Sequence, residues 1–114
     1  MKENILLGKA TKFGVKVIKF ARNLEDKVLA KQILRSGTSI GANIAESEYA
    51  SSMLDFINKL QIAQKEAGET RYWLILLHEA NYVSGQEYKA LCDDVNELMR
   101  MLSKSITTSK SKIK

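Results

Sequence analysis

The sequence predicts an all-α protein that folds as an antiparallel, up-down-up-down four-helix bundle. In four separate segments, apolar residues recur at alternating steps of three and four, which is the spacing of one buried helix face. Short polar turns separate these segments, so consecutive helices should lie side by side and run in opposite directions. The chain of 114 residues contains no proline, which favours long uninterrupted helices.

The first helix is predicted from about Asn4 to Arg22. Its buried face is formed by six apolar residues, namely Leu6, Ala10, Phe13, Val17, Phe20 and Leu24. A separate stripe on the same helix is basic and contains Lys9, Lys12, Lys16, Lys19 and Arg22. The predicted helix contains no Asp or Glu that could pair with these cations. Three interpretations therefore stay open: a solvated face, a ridge that binds nucleic-acid phosphates, or a surface that contacts an acidic patch of a neighbouring subunit.

The second helix, from about Asp26 to Ser47, carries short polar residues and glycines at helical spacing. Its polar stripe, called the polar seam below, contains Gln32, Ser36, Ser39, Asn43 and Glu46. Gly37, Gly41 and Ala45 form a flat strip where another backbone could approach, although each glycine costs about 1 kcal/mol of helix stability relative to alanine. We therefore expect a buried helix whose polar seam forms an interhelical hydrogen-bonded network, with Arg35 bound to Glu69 or Glu46. A ligand contact and catalysis through Asn43 and Glu46 are the alternatives.

The third and fourth helices follow two serine-containing turns. The third should run from about Met53 to Tyr82, with Ser51 or Ser52 as its N-cap, and the fourth should begin after the Ser84 turn. Besides its buried face, the third helix has a second face that contains Ile62, Glu66, Glu69, Trp73 and Leu76. Several helices thus carry more apolar surface than one small core needs, which predicts an oligomer.

The sequence predicts one bundle domain over residues 1–103 and a basic, mobile tail over residues 104–114. Net charge is +6 over residues 1–35, −5 over residues 36–103 and +4 over the tail. Such asymmetry indicates an anionic partner or complementary packing between subunits.

Catalytic, metal-binding and cofactor-binding motifs are not recognisable. The single histidine, His78, has Ile75 three residues before it, so the Glu-x-x-His pairs of di-iron bundles are not formed. The single cysteine, Cys92, excludes an intrachain disulfide and is interpreted as a small core residue. Because no apolar stretch is long enough for a membrane span or a signal peptide, we expect a soluble cytoplasmic protein. Because no catalytic motif is recognisable, we expect that it is not an enzyme.

Two strings give the sequence a family resemblance. RSGTSIGANIAE, from Arg35 to Glu46, and KLQIAQKEAGETRYWL, from Lys59 to Leu74, resemble the two landmarks of the four helix bundle protein family. Members of this family are encoded by intervening sequences of large-subunit ribosomal RNA genes. The resemblance covers about residues 5–105. Many members have proline where this chain has Gly41, so the kink that a proline would give is not expected here.

The resemblance implies a bundle that assembles as a ring, typically a homopentamer. Relatives include accessory proteins of diversity-generating retroelements, which resemble basic barrels that bind nucleic acid and a reverse transcriptase. For most members no biochemical activity is established. Carried over position by position, the characteristic residues of the family are Arg35, Ser39, Asn43, Glu46 and Glu69.

Together these observations predict a non-enzymatic, oligomeric adaptor for nucleic acid, in particular structured RNA. It would read backbone and shape, because no base-reading module is recognisable. The expected phosphate contacts are Lys9, Lys12, Lys16, Lys19, Arg22, Lys110, Lys112 and Lys114. The alternative is a scaffold that presents its acidic middle to a basic protein and has no role with nucleic acid.

Overall fold

The protein is described here by a computed structural model that covers residues 4–113. In this range the chain forms four helices and no strand. The helices are α1 (Ile5–Arg22), α2 (Lys27–Ser47), α3 (Met53–Glu79) and α4 (Gly85–Lys110). The predicted helix starts are confirmed to within one residue.

A polar side chain caps the start of each helix. Asn4, Asp26, Ser52 and Ser84 each accept a hydrogen bond from the backbone N–H three residues later. Such a bond satisfies one of the amide groups that a helix start leaves unpaired, and a cap of this type is worth about 1 kcal/mol. Ser52, not Ser51, is therefore the cap of α3.

The four helices enclose one apolar core. Each helix packs against its neighbours in the sequence, and α1 also packs against α4. The predicted buried faces are confirmed by side chains that are almost completely buried, including Phe13, Val17, Leu60, Leu74, Val95, Leu98 and Leu102. Leu6, predicted in the same set, is only half-buried at the start of α1.

Contacts between neighbouring helices occur in opposite order along the two helices of each pair. Arg35 of α2 lies beside Glu66 of α3, with 3.1 Å between Nη1 and Oε2, whereas Glu46, later in α2, lies 4.0 Å from the earlier Lys59. In the same way, Gln64 of α3 bonds Ser103 of α4, and the later Arg71 bonds the earlier Asn96.

Helix α3 ends three residues earlier than predicted. Asn81 adopts a φ of 65°, in the left-handed region, and the N–H of Tyr82 bonds the carbonyl of Leu77 at 2.9 Å. This is the Schellman arrangement that closes a helix at its C-terminus, and asparagine is one of the few residues that tolerate it.

Helix α4 extends seven residues beyond the predicted end of the bundle. Residues 104–110 are helical, and Ile106 and Ser109 are each only 6% exposed. These residues therefore belong to the bundle, and the predicted boundary at residue 103 differs from the structure. Within residues 4–113, no helix combines the length and the apolar character that a membrane crossing needs.

Candidate nucleic-acid interface

The basic stripe of α1 divides into paired and unpaired cations. Lys16 Nζ lies 2.7 Å from Asp94 Oδ2, and Lys9 Nζ lies 3.2 Å from Glu97 Oε2, both on α4. The acids that α1 lacks are thus supplied by α4 of the same chain. Two members of the basic stripe thus have carboxylate partners on another helix.

Lys12, Lys19 and Arg22 are exposed and form no ion pair within residues 4–113. They are seven and three residues apart, so they follow one outer line of α1 over about 15 Å. Lys12 also borders a cleft of about 160 Å³ between α1 and α4, whose lining includes the two ion pairs. These three cations are therefore accessible to anionic groups from outside the chain.

The predicted C-terminal cations lie at the opposite end of the bundle from Arg22. Lys110 is exposed in the last turn of α4, and Lys112 is exposed just beyond it. Lys112 shares a groove with Ile5 and Leu6, at the start of α1. Lys114 lies outside the described residues.

On the other side of the bundle, an ionic cluster joins α2 to α3. Arg35 bonds both Glu66 and Glu69, and the indole N–H of Trp73 donates to Glu69 at 3.0 Å. Burial raises the pKa of the Glu69 carboxyl, but the hydrogen bonds from Trp73 and Arg35 outweigh it and hold the pKa below 4.5, its ordinary value. The bond to Glu69 is the main cause that raises the pKa of Arg35.

The rest of the polar seam does not form one buried network. Ser36 is buried and accepts a hydrogen bond from Thr70 at 2.8 Å, which links α2 to α3. Ser39 and Asn43 are half-buried and donate to backbone carbonyls of their own helix, at 2.7 and 2.8 Å. Glu46 is exposed. Within the single chain α2 is therefore only partly buried, because the outer side of the α2–α3 pair is open.

Three acidic residues complete these clusters, namely Asp94, Glu97 and Glu66, and the sequence pattern alone does not identify them as partners of the basic residues. Asp94 and Glu97 lie three apart on α4, a spacing that puts two acids on one helix face. Their ion pairs with Lys16 and Lys9 depend on how α1 and α4 are rotated about their own axes. The sequence pattern does not determine this rotation. The sequence places Glu66 on the second face of α3, but its pairing with Arg35 is visible only in the folded chain.

The remaining candidate residues are His78 on α3 and Cys92 on α4. His78 stacks on Tyr88 with 4.1 Å between the ring centroids, and burial raises the pKa of the half-buried Cys92 thiol. Among residues 4–113, no group of three or more His, Cys, Asp or Glu side chains is placed to hold a metal ion.

Comparison with known families shows where this arrangement belongs. The family model described as "23S rRNA-intervening sequence protein" matches residues 2–104, nearly the whole chain. The chain belongs to this family. The resemblance seen in the two sequence strings is thereby confirmed. This description refers to an intervening sequence of 23S rRNA, and it does not name a reaction.

A solved structure supports the same assignment. It is the crystal structure of a protein of unknown function from the S23 ribosomal protein family of Bacteroides thetaiotaomicron. The two chains are 46% identical, the match covers 90% of this chain and 98% of that one, and the TM-score is 0.87. Comparison with curated proteins found no match.

Proposed function

We propose that this member of the 23S rRNA-intervening sequence protein family is a non-enzymatic, homo-oligomeric adaptor that binds structured RNA through α1. The observation that carries the proposal is the outer line of Lys12, Lys19 and Arg22, three exposed cations without an acidic partner in the described part of the chain. The family description, which refers to an intervening sequence of ribosomal RNA, is in keeping with RNA as the ligand.

The three unpaired cations would contact phosphates without reading bases. Each phosphate that a lysine or arginine neutralises releases counterions, so affinity should fall steeply as salt rises. Lys9 and Lys16 would contribute less, because their ammonium groups already have carboxylate partners on α4. Lys110 and Lys112 would add contacts at the other end of the bundle.

Assembly into a homo-oligomer would present several copies of the cation line on α1. The opposite order of contacts between neighbouring helices supports an antiparallel, up-down-up-down bundle. The outer face of α2 and α3 combines the half-buried Ser39 and Asn43 with partly exposed Ile62, Trp73 and Leu76, a mixture that suits contact with a second copy. A ring, typically of five copies in this family, would present five basic lines to one RNA and gain avidity.

The test compares two double variants with the same change in net charge. Lys12→Glu/Lys19→Glu alters the unpaired line, and Lys65→Glu/Arg100→Glu alters exposed residues of α3 and α4; each lowers the net charge by 4, from +5 to +1. We expect the first variant to bind a structured RNA at least tenfold more weakly and with a shallower salt dependence. The control should weaken binding much less.

The measurement is fluorescence anisotropy with a labelled RNA hairpin at several salt concentrations, on protein freed of nucleic acid. Circular dichroism and light scattering establish that both variants keep the fold and the assembly of the parent protein. Equal loss of affinity in the two variants would show that RNA binding depends on net charge alone and not on the positions of Lys12 and Lys19. Absence of RNA binding by the parent protein would reject the proposal and direct attention to protein partners.

A further inference from the structure

Two acids of α4, Asp94 and Glu97, face three lysines of α1 across one cleft. Lys9, Lys12 and Lys16 border this cleft from α1. They are three and four residues apart, so they follow one another along one side of the helix, about one turn apart. The two outer lysines are paired with the acids, whereas Lys12 between them forms no ion pair within residues 4–113.

Both paired lysines remain accessible from outside the chain. The side chain of Lys16 is 58% exposed and that of Lys9 is 42% exposed. Ion pairs at such exposed positions are weak, because water screens the two charges. An external anion can therefore reach these ammonium groups and compete with the carboxylates that already bind them.

The carboxylates oppose a phosphate at the same ammonium groups. A phosphate oxygen that accepts a hydrogen bond from Lys16 lies about 2.8 Å from Nζ, and Asp94 Oδ2 lies 2.7 Å from the same atom. The two anionic oxygens are then at most about 5.5 Å apart and repel each other. Lys9 and Glu97, with 3.2 Å between Nζ and Oε2, present the same conflict. Lys12 has no carboxylate within ion-pair distance in the described range.

A third acid of α4, Glu87, does not extend this competition to the end of α1. It borders the adjacent cleft together with Lys19 and Asp94. Glu87 is exposed and forms no ion pair within residues 4–113. Competition by carboxylates is therefore confined to Lys9 and Lys16, and the outer line of α1 stays free of it.

Given the RNA binding proposed above, on which this inference rests, we propose that Asp94 and Glu97 are intramolecular competitors of the RNA phosphates. They withhold Lys9 and Lys16 from the ligand and restrict RNA to the outer line of α1. Removal of both negative charges should recruit the two lysines as further phosphate contacts. Two more contacts would steepen the slope of log affinity against log salt concentration by about 1.5.

The test is the double variant Asp94→Asn/Glu97→Gln, which removes both charges and keeps the side-chain shapes. Fluorescence anisotropy with the labelled RNA hairpin at several salt concentrations should show at least fivefold tighter binding at low salt and the steeper slope. The control Glu79→Gln/Asp93→Asn raises the net charge equally, from +5 to +7, and releases Lys89 from its ion pair on the exposed side of α4. It should change the affinity less than twofold.

Two quadruple variants identify the lysines that give the gain. Lys9→Gln/Lys16→Gln, added to the test variant, returns the net charge to +5 and should abolish the gain in affinity. Lys65→Gln/Arg100→Gln, added instead, gives the same net charge but changes exposed residues of α3 and α4, and most of the gain should remain. Circular dichroism and light scattering check the fold and the assembly of each variant.

The possible outcomes separate this proposal from the proposed function. If the parent protein binds RNA and Asp94→Asn/Glu97→Gln binds it equally tightly, the competition is rejected and the RNA-binding function stands. An equal gain in the control, or a gain that persists without Lys9 and Lys16, would overturn the competition as well. RNA binding by the variant and not by the parent protein would support it. Absence of RNA binding by both proteins would reject both proposals.

Discussion

Gly37 and Gly41 lie one turn apart on α2 and face the same helix, α1, but their surroundings differ. A Cβ atom at Gly37 would lie 2.8 and 2.9 Å from the two Cγ atoms of Val17, closer than such atoms approach. A Cβ atom at Gly41 would meet Ala10 Cβ at 3.6 Å, an ordinary contact. The sequence indicated a close helix approach along the glycine strip, but only the structure shows which glycine it requires.

We predict that alanine at these two positions changes stability in opposite directions. Gly41→Ala should stabilise the protein by about 0.5–1 kcal/mol, because alanine favours the helix. Gly37→Ala should destabilise it by about 1–2 kcal/mol, because Val17 is branched at Cβ and cannot move away without shifting a buried helix contact. Urea unfolding of both variants measures the difference.

The double variant Gly37→Ala/Val17→Ala separates crowding from other effects. It removes the two Cγ atoms that the new Cβ would meet, so the two changes should be less harmful together than the sum of their single effects. Equal stabilisation by Gly37→Ala and Gly41→Ala would show that α1 and α2 are not in such close contact at Gly37.

At the scale of the helices, the cluster of Arg35, Glu66, Glu69 and Trp73 joins α2 to α3 and should make stability depend on pH. The folded protein holds the pKa of Glu69 below 4.5, so this group stabilises the fold above that pH. Its contribution should be lost as the pH falls through the lower folded pKa. Arg35 is about half exposed, with 49% of its side chain accessible, so the contribution is about 0.2–1 kcal/mol.

We therefore predict that Glu69→Gln lowers the free energy of unfolding at pH 7 and that this difference shrinks as the pH falls through the folded pKa of Glu69. Glutamine can still accept the hydrogen bond of Trp73, so the variant removes the charge and keeps the packing. Urea unfolding at pH 7, 5, 4 and 3 gives the comparison, with Glu25→Gln, an exposed residue outside the helices, as the control. A constant difference at all pH values would contradict an ionic role for Glu69.

The helices also show how far the sequence could be interpreted. Helix starts were predictable, because an N-cap such as Ser84 is a local interaction. The end of α4 was missed, because serine, threonine and lysine after Leu102 are typical of mobile segments. Ile106 nevertheless continues the spacing from Leu102 by four residues, and its burial against the bundle decides the outcome. The pairing of Lys16 with Asp94 was not predictable, since it depends on helix rotation in the folded molecule.

At the scale of the whole molecule, apolar and polar surfaces are distributed unevenly. Val28 is 73% exposed and Tyr72 is 54% exposed, both on the α2–α3 side that also carries Ser39 and Asn43. The outer side of α1 carries Lys12, Lys19 and Arg22 together with Val15, which is 46% exposed. The line of cations distinguishes this side from the α2–α3 side, a division that suits a molecule that meets copies of itself on one side and an anionic ligand on another.

A substitution of Asn43 tests this division, because among residues 4–113 its side chain bonds only the carbonyl of Ser39 in its own helix. We predict that Asn43→Leu leaves the helix content intact but lowers the mass of the assembly, since leucine would displace polar contacts between copies. Asn58→Leu, the same substitution at an exposed position of α3, should keep the parent mass. Light scattering distinguishes a ring of five 12.8 kDa chains, about 64 kDa, from smaller species. An unchanged mass for Asn43→Leu would contradict a contact between copies at Asn43.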